Sequence, residues 1–369
     1  MDAFKIVPNI ENYDHVEEFL NSMEFNEKDF LFISKSVYTH YFENKVSKAK
    51  VYFRSAYGQG EPNSDMADAL LKDFMESGCK RIIAVGGGSV MDMAKLLCVC
   101  KKPDVHYIFE HKEELQHIYP LILIPTTCGS GSEVSNISIV EMLDLKTKLG
   151  LAHDSIYADT AVLIPELLES VSHFYLTTSA IDGLVHAIES YLSSRSNVYT
   201  RLFQEKSISL YVKNFKKMIE DKSAPTCYEE LMTASNMAGI SFGNTGTGCV
   251  HAISYPLSGT YHVTHGLANS IFLVAVLKMY DRLEQRDNLI ALKQILANEM
   301  DCDIHVVFDE LDAMLHALLE VPTLSSLGMK EEEIETFSES VIQNQQRLMS
   351  NGYINLDKEQ VKEIYRLLF

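Results

Sequence analysis

A chain of 369 residues and 41.7 kDa is about twice the commonest single-domain length, so two domains are expected. Apolar residues make up 46% and charged ones 22%, which excludes a disordered chain, and 32 basic against 51 acidic residues leave a formal charge of −19 that repels phosphate backbones and anionic lipid. No basic-then-apolar leader opens the chain and no apolar run approaches bilayer length, so the expectation is a cytoplasmic protein with neither nucleic-acid nor membrane partners.

In chain order, β-branched and aromatic runs at 30–33, 51–53, 81–85 and 121–124 predict strands, with helical stretches at 66–74 and 90–96 between them. That alternation implies a parallel sheet covered on both faces. Beyond Pro165 the strand signals give way to three-to-four-residue apolar spacing at 184–192, 208–219, 228–240 and 267–283, which is helical. The expected architecture is an α/β domain over residues 1–165 and an all-helical domain over 166–369. Residues 319–335 read as an acidic, solvated loop leading into a helix start. The seven cysteines (79, 98, 100, 128, 227, 249 and 302) include no Cys-x-x-Cys pair and read as free thiols in a reducing compartment.

The first segment with chemistry in it is Gly86-Gly87-Gly88-Ser89, directly after the strand at 81–85 and before a helical stretch. Glycine admits a phosphate to bare N–H groups at a helix N-terminus, with Ser89 as a further donor. The spacing matches neither Gly-x-Gly-x-x-Gly nor a P-loop, and a plain tight turn is the competing reading. A second glycine- and hydroxyl-rich loop, Pro125-Thr126-Thr127-Cys128-Gly129-Ser130-Gly131-Ser132-Glu133, follows another strand, at the end where open α/β sheets bind ligands. Local turn bonding by Thr126, Thr127 and Ser130 is the alternative there.

Metal-ligating residue types gather in the second half. Asp182 and His186 lie at i and i+4 of a helical stretch, on one face among Ala180, Ile181, Leu184 and Val185. A buried Asp in such surroundings needs a compensating partner. His251 follows, then His262 and His265, with Pro256 and Gly259 predicting a loop that brings His251 and His265 back toward the first helix. One Asp and three His suit Fe²⁺ or Zn²⁺.

Four motifs occur in order: Gly86-Gly87-Gly88-Ser89 with Asp92 and Lys95; the segment 125–134; Asp182-x3-His186-Ala187-Ile188-Glu189; and His251-x13-His265-Gly266. Together they resemble the iron-containing (group III) alcohol dehydrogenases over nearly the whole chain. The resemblance implies a Rossmann-like α/β domain followed by an all-α domain, the fold shared with dehydroquinate synthase. It implies Asp182, His186, His251 and His265 as metal ligands. It also implies Gly87, Gly88, Ser89 and Asp92 around the cofactor pyrophosphate, and Thr126, Thr127, Ser130 and Lys148 along the rest of that cleft. A small alcohol/aldehyde substrate and a homodimer joined through N-terminal strands are implied as well, in keeping with a strand-like start at 3–7.

Within the family, the length and the segment 261–269 resemble members that act on 4-hydroxybutyrate and succinic semialdehyde. A butanol or 1,3-propanediol activity is the alternative, with a dehydroquinate synthase-like lyase beyond it. Two positions depart from the family pattern. Tyr255 stands where many members carry a further His, which leaves His262 as a proton-relay candidate beside Tyr255. Ser34, with Lys35 next to it, stands where an acid commonly meets the adenosine ribose, so NAD is expected with NADP also open.

Overall fold

The β-branched and aromatic runs pair as a parallel sheet in a computed structural model that describes residues 4–145, 147–220 and 228–369. Two units emerge, one of residues 6–172 and one of residues 173–369 with the N-terminal residues up to Lys5. In the first, six parallel strands lie in the order β1 (Asn9–Asn12), β8 (Thr160–Leu163), β5 (Leu121–Pro125), β4 (Arg81–Gly86), β2 (Asp29–Ile33) and β3 (Lys50–Phe53). A separate antiparallel hairpin joins β6 (Ile137–Met142) to β7 (Thr147–Ala152).

Alternate residues of the central strands feed two cores. Phe30, Phe32, Ile82, Ala84, Leu121 and Leu123 pack with the buried faces of α3 (Ser64–Ser77) and α4 (Gly88–Cys98). Leu31, Ile33, Ile83, Val85 and Ile124 pack on the opposite side with Val16, Phe19 and Phe42. Burial on both faces is why these strands read as continuous apolar runs. The strands absent from the sequence reading are the polar four-residue edge strand β1, the short β8 and the hairpin. Residues 4–7 carry no strand. Instead Phe4 stacks on Tyr199 and Phe203, with ring centroids 5.8 and 5.7 Å apart, while residue 3 lies outside the described residues.

The second unit is helical throughout its described residues: α6 (His173–Leu192), α7 (Val198–Glu220), α8 (Tyr228–Thr245), α9 (Cys249–Tyr261) and α10 (His265–Leu283). Then come α11 (Asp287–Met300), α12 (Val307–Leu318), α13 (Glu333–Asn344), α14 (Gln346–Met349) and α15 (Lys358–Leu368). The segment before α13 is the expected loop. The connection between His251 and His265 differs from expectation, because α9 runs through Pro256 instead of forming a loop. Val250, Ile253 and Leu257 are buried at three-to-four spacing, and that apolar face carries the helix past the missing proline donor. Of the cysteines, Cys79, Cys98, Cys100, Cys128, Cys249 and Cys302 are free thiols, and Cys227 lies outside the described residues. No described helix is long and apolar enough to cross a membrane.

Candidate active site

Asp182 and His186 sit mid-way along α6, one turn apart on a buried face. His251 occupies the first turn of α9 and His265 begins α10. One ligand atom from each of the four lies within 4.8 Å of all the others. The approach of α10 to α6 depends on Gly266, where a Cβ would sit 2.2 Å from the Thr178 carbonyl oxygen and 3.4 Å from the Asp182 Cβ. Three of the four residues are buried and His265 is half-buried.

Neighbouring side chains fix which atoms face inward. Both carboxylate oxygens of Glu189 are taken: Oε2 accepts from the Gly248 N–H at 2.9 Å and lies 2.6 Å from His251 Nδ1, while Oε1 accepts from the Val250 N–H at 2.5 Å. An imidazole that donates from Nδ1 presents the Nε2 lone pair to the group. That Nε2 lies 3.0 Å from His186 Nε2. Asn269 Nδ2 donates to Asp182 Oδ1 at 2.7 Å, and Ser254 Oγ donates to Asn269 Oδ1 at 2.6 Å. Phe242 stacks on the His186 ring with centroids 4.4 Å apart, closing one side with apolar surface.

Electrostatics agree with the geometry. Burial opposes ionisation of Asp182, but His186, His265, His251 and the Asn269 amide together hold its carboxyl below the usual range. Burial, then the neighbouring His186 and His265, keeps His251 well below its ordinary value and therefore neutral. Burial pushes Glu189 up to about 7 against the N–H donors of Gly248 and Val250. One carboxylate and three imidazole nitrogens converging without a cationic side chain among them form a donor set for a divalent ion of mixed N/O preference.

The sheet unit gathers most of the remaining candidates at the carboxyl ends of β2, β4 and β5. Gly87 precedes α4 as its cap residue, and the Thr126 N–H donates to the Gly86 carbonyl at 3.1 Å. A Cβ on Gly88 would lie 3.0 Å from the Ser130 Cβ, so the two loops touch and only glycine leaves backbone N–H groups accessible there. Ser89, Thr127 and Ser130 are half-buried and Thr126 is buried. Ser34 follows β2, its N–H donating to Val85 O at 3.2 Å, and Lys35 beside it is exposed. Asp92 faces inward: it accepts from Ser132 Oγ at 2.5 Å and from the Ile139 N–H at 3.0 Å. Lys148, on β7, is ion-paired with Glu61.

Of the two relay candidates, Tyr255 stands beside the cluster, its ring 6.1 Å from that of His265. His262 is exposed at the end of α9 with φ near 53°. Glu189 entered the sequence analysis only as the last residue of the third motif and Asn269 only within the segment 261–269, neither with a role. Their signal was present, since Glu189 lies at i+7 from Asp182 and Asn269 at i+4 from His265, each on the ligand face of its helix.

Two family models divide the chain between them. One described as iron-containing alcohol dehydrogenase matches residues 5–165, and one described as the C-terminal part of the Fe-containing alcohol dehydrogenase family matches residues 176–369. The chain belongs to the iron-containing alcohol dehydrogenase family. A 4-hydroxybutyrate dehydrogenase of Clostridium kluyveri is 38% identical, covering 100% of both chains. Among solved structures, an archaeal Red Sea brine pool alcohol dehydrogenase superposes with a TM-score of 0.86 at 20% identity, covering 100% of this chain and 98% of that one. A sulfoacetaldehyde reductase of Bifidobacterium kashiwanohense in complex with NAD⁺ gives 0.83 at 19% identity, covering 100% and 98%. These two share the fold. As an iron-containing alcohol dehydrogenase the chain is an oxidoreductase that works with a metal and a nicotinamide cofactor, and its α/β unit followed by a helical unit is the architecture expected from the sequence.

Proposed function

We propose that this alcohol dehydrogenase interconverts 4-hydroxybutyrate and succinic semialdehyde, using Fe²⁺ or Zn²⁺ held by Asp182, His186, His251 and His265. The convergence of those four side chains within 4.8 Å carries the chemistry, and full-length similarity to a 4-hydroxybutyrate dehydrogenase supports the substrate. When bound, a divalent ion supplies Lewis acidity to the substrate oxygen and the nicotinamide accepts or returns the hydride. The protein's part is to position and to exclude water. Glu189 and Asn269 hold His251 and Asp182 in register, and Phe242 walls the site with apolar surface. To Tyr255, whose ring lies 6.1 Å from that of His265, we assign a hydrogen bond to the substrate hydroxyl, and to the exposed His262 the relay toward solvent.

Gly87, Gly88 and Ser89 receive the pyrophosphate on bare N–H groups, and Thr126, Thr127, Ser130 and Lys148 line the remainder of the cofactor cleft, in a protein we take to be a cytoplasmic homodimer. Asp92 acts from behind, bracing the second loop through Ser132. NAD is the expected cofactor, and Ser34 with Lys35 leaves no carboxylate there to repel a 2′-phosphate. The test is a panel of alcohols and aldehydes followed at the nicotinamide absorbance with Fe²⁺ or Zn²⁺ supplied. Succinic semialdehyde is expected to be reduced far faster than butanal; equal rates would move the enzyme to a general butanol-type activity.

A further inference from the structure

Three helices meet at one side-chain amide. His251 stands in the first turn of α9 with Ser254 three residues on, and His265 begins α10 with Asn269 four residues on. Each of these helices therefore brings one member of the candidate metal group and, a turn further along the same face, one polar side chain. Ser254 and Asn269 are both completely buried, and Ser254 Oγ lies 2.6 Å from Asn269 Oδ1. The other end of the amide reaches the third helix: Asn269 Nδ2 lies 2.7 Å from Asp182 Oδ1 on α6. The same nitrogen is 3.2 Å from His265 Nε2 and 3.3 Å from His251 Nε2.

Donor and acceptor counts fix the polarity of this junction. A carboxylate only accepts, so the amide turns its NH2 to Asp182 and its carbonyl oxygen to α9. A serine hydroxyl has a single proton, and Ser254 has two acceptors in reach, Asn269 Oδ1 at 2.6 Å and the His251 carbonyl at 3.0 Å. The His251 carbonyl lies inside α9, where the helix ladder supplies it with a backbone donor. Asn269 Oδ1 has no other donor among the described residues. The proton therefore goes to the amide. Without it a fully buried carbonyl oxygen is left unpaired, and the amide loses what holds its other end against Asp182.

We propose that Ser254 is a positioning residue for the metal group: by donating to Asn269 Oδ1 it holds the amide NH2 against Asp182 and so keeps α9, α10 and α6 at the spacing where their four side chains converge. The inference rests on the reading of Asp182, His186, His251 and His265 as metal ligands. Ser254 acts through Asn269, which separates its role from that of a side chain that only fills space.

The experiment measures Zn²⁺ affinity by competition with a chromophoric chelator, with circular dichroism as the check on fold. The proteins are the parent, Ser254→Ala, Ser254→Thr, Asn269→Leu and the double variant Ser254→Ala/Asn269→Leu. Ser254→Ala is expected to weaken Zn²⁺ binding about tenfold, whereas Ser254→Thr, which keeps the hydroxyl, stays near the parent. The double variant is expected to bind no more weakly than Asn269→Leu alone, because a contact already lost cannot be lost twice. Parent-like affinity in Ser254→Ala, or losses that simply add in the double variant, overturns the role of Ser254 and leaves the metal group standing. A parent that binds no Zn²⁺ overturns the metal reading and the Ser254 assignment together.

Discussion

At the scale of single residues, the group of four depends on atoms that are not ligands themselves. Glu189 accepts three hydrogen bonds, and the one from His251 decides which imidazole nitrogen faces the others. Glu189→Gln keeps the shape but loses the charge and one acceptor, so metal affinity is expected to fall about 10- to 100-fold with little change in helix content. Metal content after dialysis against a graded chelator, alongside circular dichroism, measures it; unchanged retention would mean that Glu189 serves only the start of α9. Gly266→Ala tests the same group from the backbone side. Its Cβ would lie 2.2 Å from the Thr178 carbonyl, a clash that only movement of α10 relieves, and His265 moves with it. Loss of bound metal with the α/β unit intact is the expected result. The residue types of this group were legible in the sequence, because Asp and His at one-turn spacing on an apolar helix face call for compensation. The Glu189 role was not, since it joins residues 62 positions apart and becomes visible only once α6 and α9 pack.

At the scale of elements, a lysine decides how two loops are held. Lys95 is completely buried on α4, its ammonium donating to Ser132 Oγ at 2.7 Å, Ser135 Oγ at 3.2 Å and the Ile137 carbonyl at 2.7 Å. Burial pushes it down to about 8 against the carboxylates of Asp92 and Glu133. It ties the helix that starts at the glycine turn to the end of the second loop and to β6. Lys95→Met keeps the apolar stem and strands these acceptors. The KM for NAD is therefore expected to rise about tenfold while kcat changes less, a split that steady-state kinetics and direct NAD titration resolve. A melting-temperature loss without any change in NAD affinity would assign Lys95 to the core alone. The sequence placed Lys95 in the first family motif without a role, and its burial was not legible there because buried lysines are rare.

The same scale supplies a pH effect. Hydrogen bonds from Lys213, then Lys217, hold Glu230 down to about 2, and they tie α8 to α7. Between that value and the ordinary one the folded chain binds fewer protons than the unfolded chain. The contribution is therefore complete above about pH 4.5 and fades as the pH falls toward 2. Glu230→Gln is expected to lower the melting temperature by about 1–3 °C at pH 7, with the gap to the parent closing as the pH falls from about 4.5 to about 2. A gap that stays constant across that range would show that packing, not charge, carries the contact.

At the scale of the whole molecule, the two kinds of chemistry divide along the chain. The strand-to-helix switch near Pro165 was legible because hydrophobic spacing changes there, and the contact boundary falls after Ser172. The four side chains of the candidate metal group all belong to the helical unit, whereas the glycine turn and the hydroxyl loop belong to the sheet unit. A ligand that binds only the folded state stabilises the unit that holds it by RT ln(1 + [L]/Kd), about 2.7 kcal/mol at a hundredfold excess over Kd. For units of this size that corresponds to a rise of about 5–10 °C in the transition concerned. Calorimetry of the chelated protein is therefore expected to resolve two transitions, one raised by Fe²⁺ or Zn²⁺ and the other by NAD. If both ligands raised a single transition equally, the units would unfold as one cooperative block, and the separation of metal and cofactor sites would leave no thermodynamic trace.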